Sequence, residues 1–260
     1  TFVADDEDNR IFVQQSDDIV DELSPAQPAY NIDKIYLDAY EQVVGSGGQR
    51  YPEVNRAINN RIFSGTFIIN YLGHGSSSSW TGERVLGTED IDGWSNKDKL
   101  PLFITATCTF TRFDDPGKRS AGEHVILNPD GGGIALVTTT RIVEAGDNKR
   151  LNQEFYDHAF TPIDGKMPRL GEIMRLTKNG QTSSDNYNNR KFMLIGDPAM
   201  TLAYPHHDVV TTEINGQPVS LSSSDTLKAL QKVTIRGEIR DDSGTKLSAV
   251  SYTHLRAHET

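Results

Sequence analysis

Five short apolar runs, Thr1–Ala4, Ile32–Leu37, Phe67–Leu72, Leu102–Thr107 and Gly133–Thr140, recur along the chain with helix-period segments among them. They are rich in Val, Ile, Phe and Thr, and several are apolar on both faces, as strands covered by helices on two sides must be. The intervening lengths suit crossover connections and hence parallel pairing. One such connection opens with Tyr51-Pro52-Glu53, which suits a helix first turn, and carries Val54, Ile58 and Ile62 along one face. Ser120–Leu127, Asn148–Phe160 and Pro168–Lys178 also read as helices, the last opened by Pro168 and closed by Asn179-Gly180. The expected fold is an α/β domain over residues 1–205, a parallel sheet flanked by helices.

After Pro205 the pattern changes to short alternating segments parted by Asn215-Gly216, Ser222–Asp225 and Asp241–Gly244, with Val233, Ile235 and Ile239 at strand spacing. This reads as the start of a small all-β module over 206–250, too short for a complete sandwich. Ser251–Thr260 does not continue the pattern and is expected to be a non-native tail. The opening Thr1-Phe2-Val3-Ala4-Asp5 has neither Met nor a signal-type stretch, so the chain reads as an internal or mature segment. Acidic residues outnumber basic ones 36 to 26, which argues against a general nucleic-acid binder. No apolar run reaches the roughly 18 residues of a membrane span, so no transmembrane segment is expected. The single cysteine, Cys108, excludes an intrachain disulfide and a cysteine-rich zinc site.

In an open parallel sheet, ligands and reactive groups collect beyond the carboxyl ends of the strands. There the first strand runs into Asp5-Asp6-Glu7-Asp8, the Phe67–Leu72 strand into Gly73-His74-Gly75, the Leu102–Thr107 strand into Cys108, and the Gly133–Thr140 strand into Arg141. A thiol nucleophile needs a proton carrier, usually a histidine distant in sequence and adjacent in the fold. Cys108 follows His74 by 34 residues, about one crossover unit. Glycines on either side of His74 permit a sharp turn and leave the Gly75 N–H unobstructed as an oxyanion donor beside the Cys108 N–H. Taken singly, a cysteine after a strand is commonly a small core residue and a histidine between glycines a turn residue. Together at strand ends, they read as a candidate dyad.

Four segments in order, FIINYLGHGSSSSW (Phe67–Trp80), PLFITATCTFTRFD (Pro101–Asp114), GGGIALVTTTR (Gly131–Arg141) and LIGDPAM (Leu194–Met200), resemble the gingipain family of cysteine peptidases. Within it, TTTR and ATC-x-FTRFD bring the chain closest to the PorU-type sortases of the type IX secretion system. The resemblance implies a caspase-like (gingipain-like) fold followed by an immunoglobulin-like β module. It makes Cys108 the nucleophile, His74 the general acid and base, and an acid of the early strand end the orienting residue. Asp6 is preferred for that role, in a register that four successive acids leave ambiguous. Related gingipains bind calcium, so the carboxylates admit a structural calcium ion, although their spacing is not that of an EF-hand; no other cofactor is implied. Trp80, Arg112 and Arg141 are candidates for substrate binding, with core packing for Trp80 and surface ion pairing for Arg112 and Asp114 as the alternatives.

By resemblance the partners are protein substrates bearing C-terminal secretion signals and other outer-membrane components of that system, with an exported, cell-surface location. The sortase activity would remove those signals and attach cargo to anionic lipopolysaccharide. A secreted gingipain-like protease and a catalytically silent caspase-like domain are the alternatives. A nucleotide-binding module is disfavoured because Gly73–Ser79 lacks the G-x-x-x-x-G-K-[ST] run, and a serine hydrolase because no G-x-S-x-G occurs.

Overall fold

A computed structural model describes residues 1–180, 187–219, 231–241 and 243–248; Ser222–Asp225 and the Ser251–Thr260 tail lie outside the described residues. The chain divides into two compact units, Thr1–Leu202 and Ala203–Thr260. In chain order the first contains β1 (Phe2–Ala4), α1 (Glu7–Ala26), β2 (Lys34–Tyr36), the hairpin β3 (Val43–Gly45) and β4 (Gly48–Arg50), α2 (Pro52–Ser64) and β5 (Ile68–Leu72). The short β6 (Ser79–Trp80) and β7 (Leu86–Gly87), α3 (Thr88–Asp92), β8 (Leu102–Ala106), α4 (Ala121–Leu127), β9 (Ala135–Thr139), α5 (Ala145–Ala159), α6 (Leu170–Gly180) and β10 (Phe192–Ile195) follow.

Six of these strands form one sheet in the order β10-β9-β8-β5-β1-β2. The five predicted strands run parallel, as their apolar character and crossover spacing require. The sheet is nevertheless mixed: β10, unread in the sequence, pairs antiparallel along β9, Phe192 opposite Thr139. Strand ladders place Leu72 of β5 opposite Ala106 of β8.

Side chains alternate between the two faces of each strand. Val3, Ile69, Tyr71, Phe103 and Leu136 turn toward one face, where Val54, Ile58 and Ile62 of α2 meet them together with Trp80 and Trp94. Each of these fully buried aliphatic side chains stabilises the fold by roughly 1.5–3 kcal/mol. α1 and α5 pack together, burying Phe12, Ile19 and Val20 on one and Leu151, Phe155 and Tyr156 on the other. α1 is a second element not anticipated from the sequence. Its first turn departs from helical geometry, with Asp8, Asn9 and Arg10 at φ 53°, 57° and 64°.

In the second unit β11 (His207–Ile214), β12 (Gln217–Pro218) and β13 (Ile235–Asp241) make a three-stranded antiparallel sheet in the order β12-β11-β13. Asn215 and Gly216, at φ 51° and 79°, form the β11–β12 turn, the positive-φ pair for which Asn-Gly is suited.

Candidate active site

β5 and β8 are parallel neighbours, so their chain ends emerge side by side, about 4.8 Å apart at the ladder. His74 lies two residues beyond Leu72 and Cys108 two beyond Ala106, and those two strand residues face each other in the register. The loops touch directly. A Cβ placed on Gly75 would lie 2.5 Å from the Thr107 hydroxyl oxygen and 3.0 Å from the Ser79 carbonyl, so only glycine fits between them. Gly73 is equally constrained, since a Cβ there would collide with Asp5 Cβ and the Tyr71 hydroxyl.

The backbone and one ring nitrogen of His74 each have partners. Its N–H donates to Asp5 Oδ2 at 2.8 Å. Its carbonyl accepts from the Tyr71 hydroxyl at 2.5 Å and the Thr81 N–H at 2.9 Å. Its imidazole Nε2 lies 2.9 Å from Asp8 Oδ2, and the ring meets Phe12 edge-on at 5.2 Å between centroids. An ionised carboxylate only accepts, so Nε2 carries the proton in this pair and Nδ1 keeps its lone pair in the neutral ring. The imidazole and Asp8 are both solvent-exposed.

The acidic run thus divides its work in a way the sequence did not reveal. Asp6, the expected orienting acid, accepts from the Tyr51 hydroxyl at 2.6 Å instead. Asp8 reaches the imidazole, because the left-handed start of α1 turns its side chain back over the β5 loop. Asp5 is fully buried beneath the His74 backbone. Burial pushes its pKa from 3.8 up to about 6, opposed by the N–H groups of His74 and Glu7 that it accepts. Two of the three carboxylates meet His74, Asp5 at the backbone and Asp8 at the ring, and the third, Asp6, meets Tyr51. Among the described residues, no group of three or more His, Cys, Asp or Glu converges to hold a metal ion.

Cys108 is partly exposed, with Sγ 3.9 Å from the Val143 carbonyl. The next residue, Thr109, adopts φ 53° and donates its N–H to the Arg141 carbonyl at 3.2 Å, while the Thr111 N–H donates to the Thr139 carbonyl at 3.0 Å. Buried threonine hydroxyls stitch β8 to β9 beneath the thiol: Thr105 donates to Thr138 at 2.7 Å, Thr138 and Thr111 lie 2.8 Å apart, and Thr139 donates to the Thr107 carbonyl. Of the expected oxyanion donors, the Gly75 N–H is left out of the local ladder, whose bonds run from Ser76 to Ser79 and from Thr81 to His74. The Cys108 N–H stands two residues beyond Ala106 on the neighbouring strand end, one step short of Gly75, which is three residues beyond Leu72.

The substrate-binding candidates fare differently. Trp80 is fully buried and stacks on Tyr71 at 4.3 Å, because the bridge between Gly75 and Trp80 folds it inward. It is a core residue and not a cleft wall. Arg141 forms a two-pronged pair with Asp114 at 3.0 and 2.5 Å, and that guanidinium holds the Asp114 carboxyl below its ordinary range. Arg112 approaches Asp115 at 3.8 Å, so Arg112 and Asp114 take other partners than each other.

The mixed sheet, its covering helices and the histidine and cysteine at adjoining strand ends define a caspase-like, gingipain-like cysteine-peptidase architecture. The chain belongs to peptidase family C25, whose family model matches residues 1–203. Its fold is similar to that of the Arg-specific cysteine proteinase gingipain R (RgpB), at 17% identity and TM-score 0.59, over 81% of this chain and 50% of that one. It is similarly close to the complex of Porphyromonas gingivalis RgpB pro- and mature domains, at 16% identity and TM-score 0.58, over 81% of this chain and 51% of that one. The chain thus spans about half the length of these proteins. No curated protein matches it. Among the described residues, no helix is long and apolar enough to cross a membrane.

Proposed function

We propose that the protein is a gingipain-like cysteine endopeptidase in which Cys108 attacks the peptide carbonyl and His74 transfers the protons. The observation that carries this reading is the shared register of β5 and β8, which sets His74 and Cys108 at the same step beyond paired residues. Cys108 Sγ gives its proton to His74 Nδ1 and bonds to the carbonyl carbon, the C–N bond breaks as Nδ1 passes that proton to the departing amine, and an acyl-enzyme results. Water deprotonated by His74 then releases the acid. The N–H groups of Gly75 and Cys108 stabilise the oxyanion, and Asp8 holds Nε2–H so that Nδ1 exchanges the proton. Asp5 and Tyr71 act one step back, positioning the His74 backbone.

Family membership and the gingipain R fold support an endopeptidase. The TTTR and ATCTFTRFD segments favour the narrower reading of a PorU-type sortase, which transfers the acyl group to an amine at the cell surface after removing C-terminal secretion signals. One experiment addresses both: incubate the full chain with a peptide substrate, with and without an added amine, and follow the products by mass spectrometry. Cleavage abolished by Cys108→Ala and by His74→Ala supports the peptidase, and an amine-capped product supports transfer. An inert Cys108 with no turnover under any condition identifies a silent domain.

A further inference from the structure

Beside the thiol, the β9–α5 connection carries an exposed aliphatic residue that the reaction does not use. Ile142 is 68% exposed. Its neighbours on both sides contact the nucleophile's segment: the Arg141 carbonyl accepts from the Thr109 N–H at 3.2 Å, and the Val143 carbonyl lies 3.9 Å from Cys108 Sγ. Phe113, 46% exposed, precedes the Asp114 that Arg141 clamps, so the same ion pair ties its loop to Ile142's loop. Single exposed apolar side chains are ordinary. These two differ in that their chain neighbours are bonded: Arg141 and Val143 to the segment of Cys108, and Arg141 to Asp114 by a two-pronged ion pair.

We propose that Ile142, with Phe113, forms an apolar subsite at the rim of Cys108, so that the accepted peptide carries an apolar side chain of about leucine size next to the bond that is cut. The inference rests on Cys108 being the nucleophile. A bound apolar side chain would take Ile142 and Phe113 out of water together, which favours it over a charged one by tenfold or more. The carboxylates nearest the dyad are committed elsewhere: Asp5 to the His74 N–H, Asp8 to the imidazole, Asp114 to Arg141. Glu83 is sealed at 5% exposure. Glu144, exposed two residues beyond Ile142, is the group on this segment that would serve the opposite preference, for a basic side chain.

The test is a peptide library randomised on both sides of the scissile bond, cut by the full chain and read by mass spectrometry. The expected result is a kcat/KM at least tenfold higher for Leu, Met or Phe than for Arg or Lys at one of the two positions. Ile142→Asp should erase that ratio and Glu144→Gln should leave it. Because the readout is a ratio of substrates within one sample, partial misfolding of a variant does not move it. A preference for Arg or Lys, or a ratio unchanged in Ile142→Asp, overturns the proposal. Cleavage that persists in Cys108→Ala is a separate outcome, which removes the nucleophile assignment and the subsite with it.

Discussion

The loops that leave β5 and β8 lie side by side, yet they are held by different means. Around His74 the backbone N–H, the carbonyl and the ring each have a partner, and two glycines admit Asp5, Tyr71 and Thr107 to direct contact. Around Cys108 the strong bonds lie below or beyond the residue, in the threonine hydroxyls and in the Thr109 and Thr111 N–H groups, and among the described residues the sulfur itself has a single 3.9 Å contact. Orientation is built into the imidazole that we propose as the base, while the proposed nucleophile has no strong partner among the described residues and is open to a bond-forming approach. A proton carrier works only within hydrogen-bond reach of its target, so rigidity is worth most there.

The sharpest way to break this comparison is to remove either of the proposed reacting groups. Cys108→Ala and His74→Ala are each expected to lower kcat/KM for peptide cleavage by about 10³-fold or more, with the far-UV circular dichroism unchanged. Next in size is Gly75→Ala, whose new methyl would press the Thr107 hydroxyl and the Ser79 carbonyl and drive the loops apart. Activity should fall about 10²-fold and stability by about 1–3 kcal/mol. Adding Thr107→Ala should recover part of both, because only the Thr107 contact belongs to a side chain. No recovery would mean that the two loops are not coupled through this contact.

Asp8→Asn tests which acid serves the ring and should lower kcat about tenfold with little change in KM. Asp6→Asn should leave kcat within about twofold and act on stability, by about 1 kcal/mol, through the lost charge assistance in the Tyr51 hydrogen bond, which the amide oxygen can still accept. The reverse ranking would restore Asp6 as the orienting acid.

The smallest effect is a pH dependence. Asp5 has its pKa raised to about 6 from an unfolded value near 3.8, so between these limits the folded protein binds a proton that the unfolded chain does not. Stability contributed by this group is present below about pH 4 and is lost as pH rises through 6. From pH 7 to pH 5 the gain is about 1 kcal/mol, and Asp5→Asn should remove it when urea unfolding is compared at the two values. A difference of opposite sign would show that the bonds from the His74 and Glu7 N–H groups outweigh burial.

Much of the frame was legible in the residues because it rests on local periodicity. Five apolar runs became the five parallel strands, within a residue or two at each end, and the proline-led segment with Val54, Ile58 and Ile62 became α2 with those three residues buried. α1 is not legible although Phe12, Ser16, Ile19 and Val20 follow helical spacing, because the acidic run before them fits a strand-end turn as well as a helix start. For Trp80 the residues leave substrate binding and core packing both open, because an aromatic after a Gly/Ser loop has no fixed direction until the Gly75–Trp80 bridge sets one, and the bridge turns it into the core. The four consecutive acids carry no pattern that says which of them faces the imidazole.

Sequence alone determined which residues end each strand, where glycine was needed beside His74, and that Asn215-Gly216 would turn, since these depend on backbone sterics and on periods of two and 3.6 residues. Only the tertiary structure decided that β5 lies against β8, that β10 closes the sheet antiparallel, and that Asp8 rather than Asp6 meets the imidazole. Those outcomes depend on groups far apart in the chain competing for the same space and the same hydrogen bonds, and no local pattern encodes the winner.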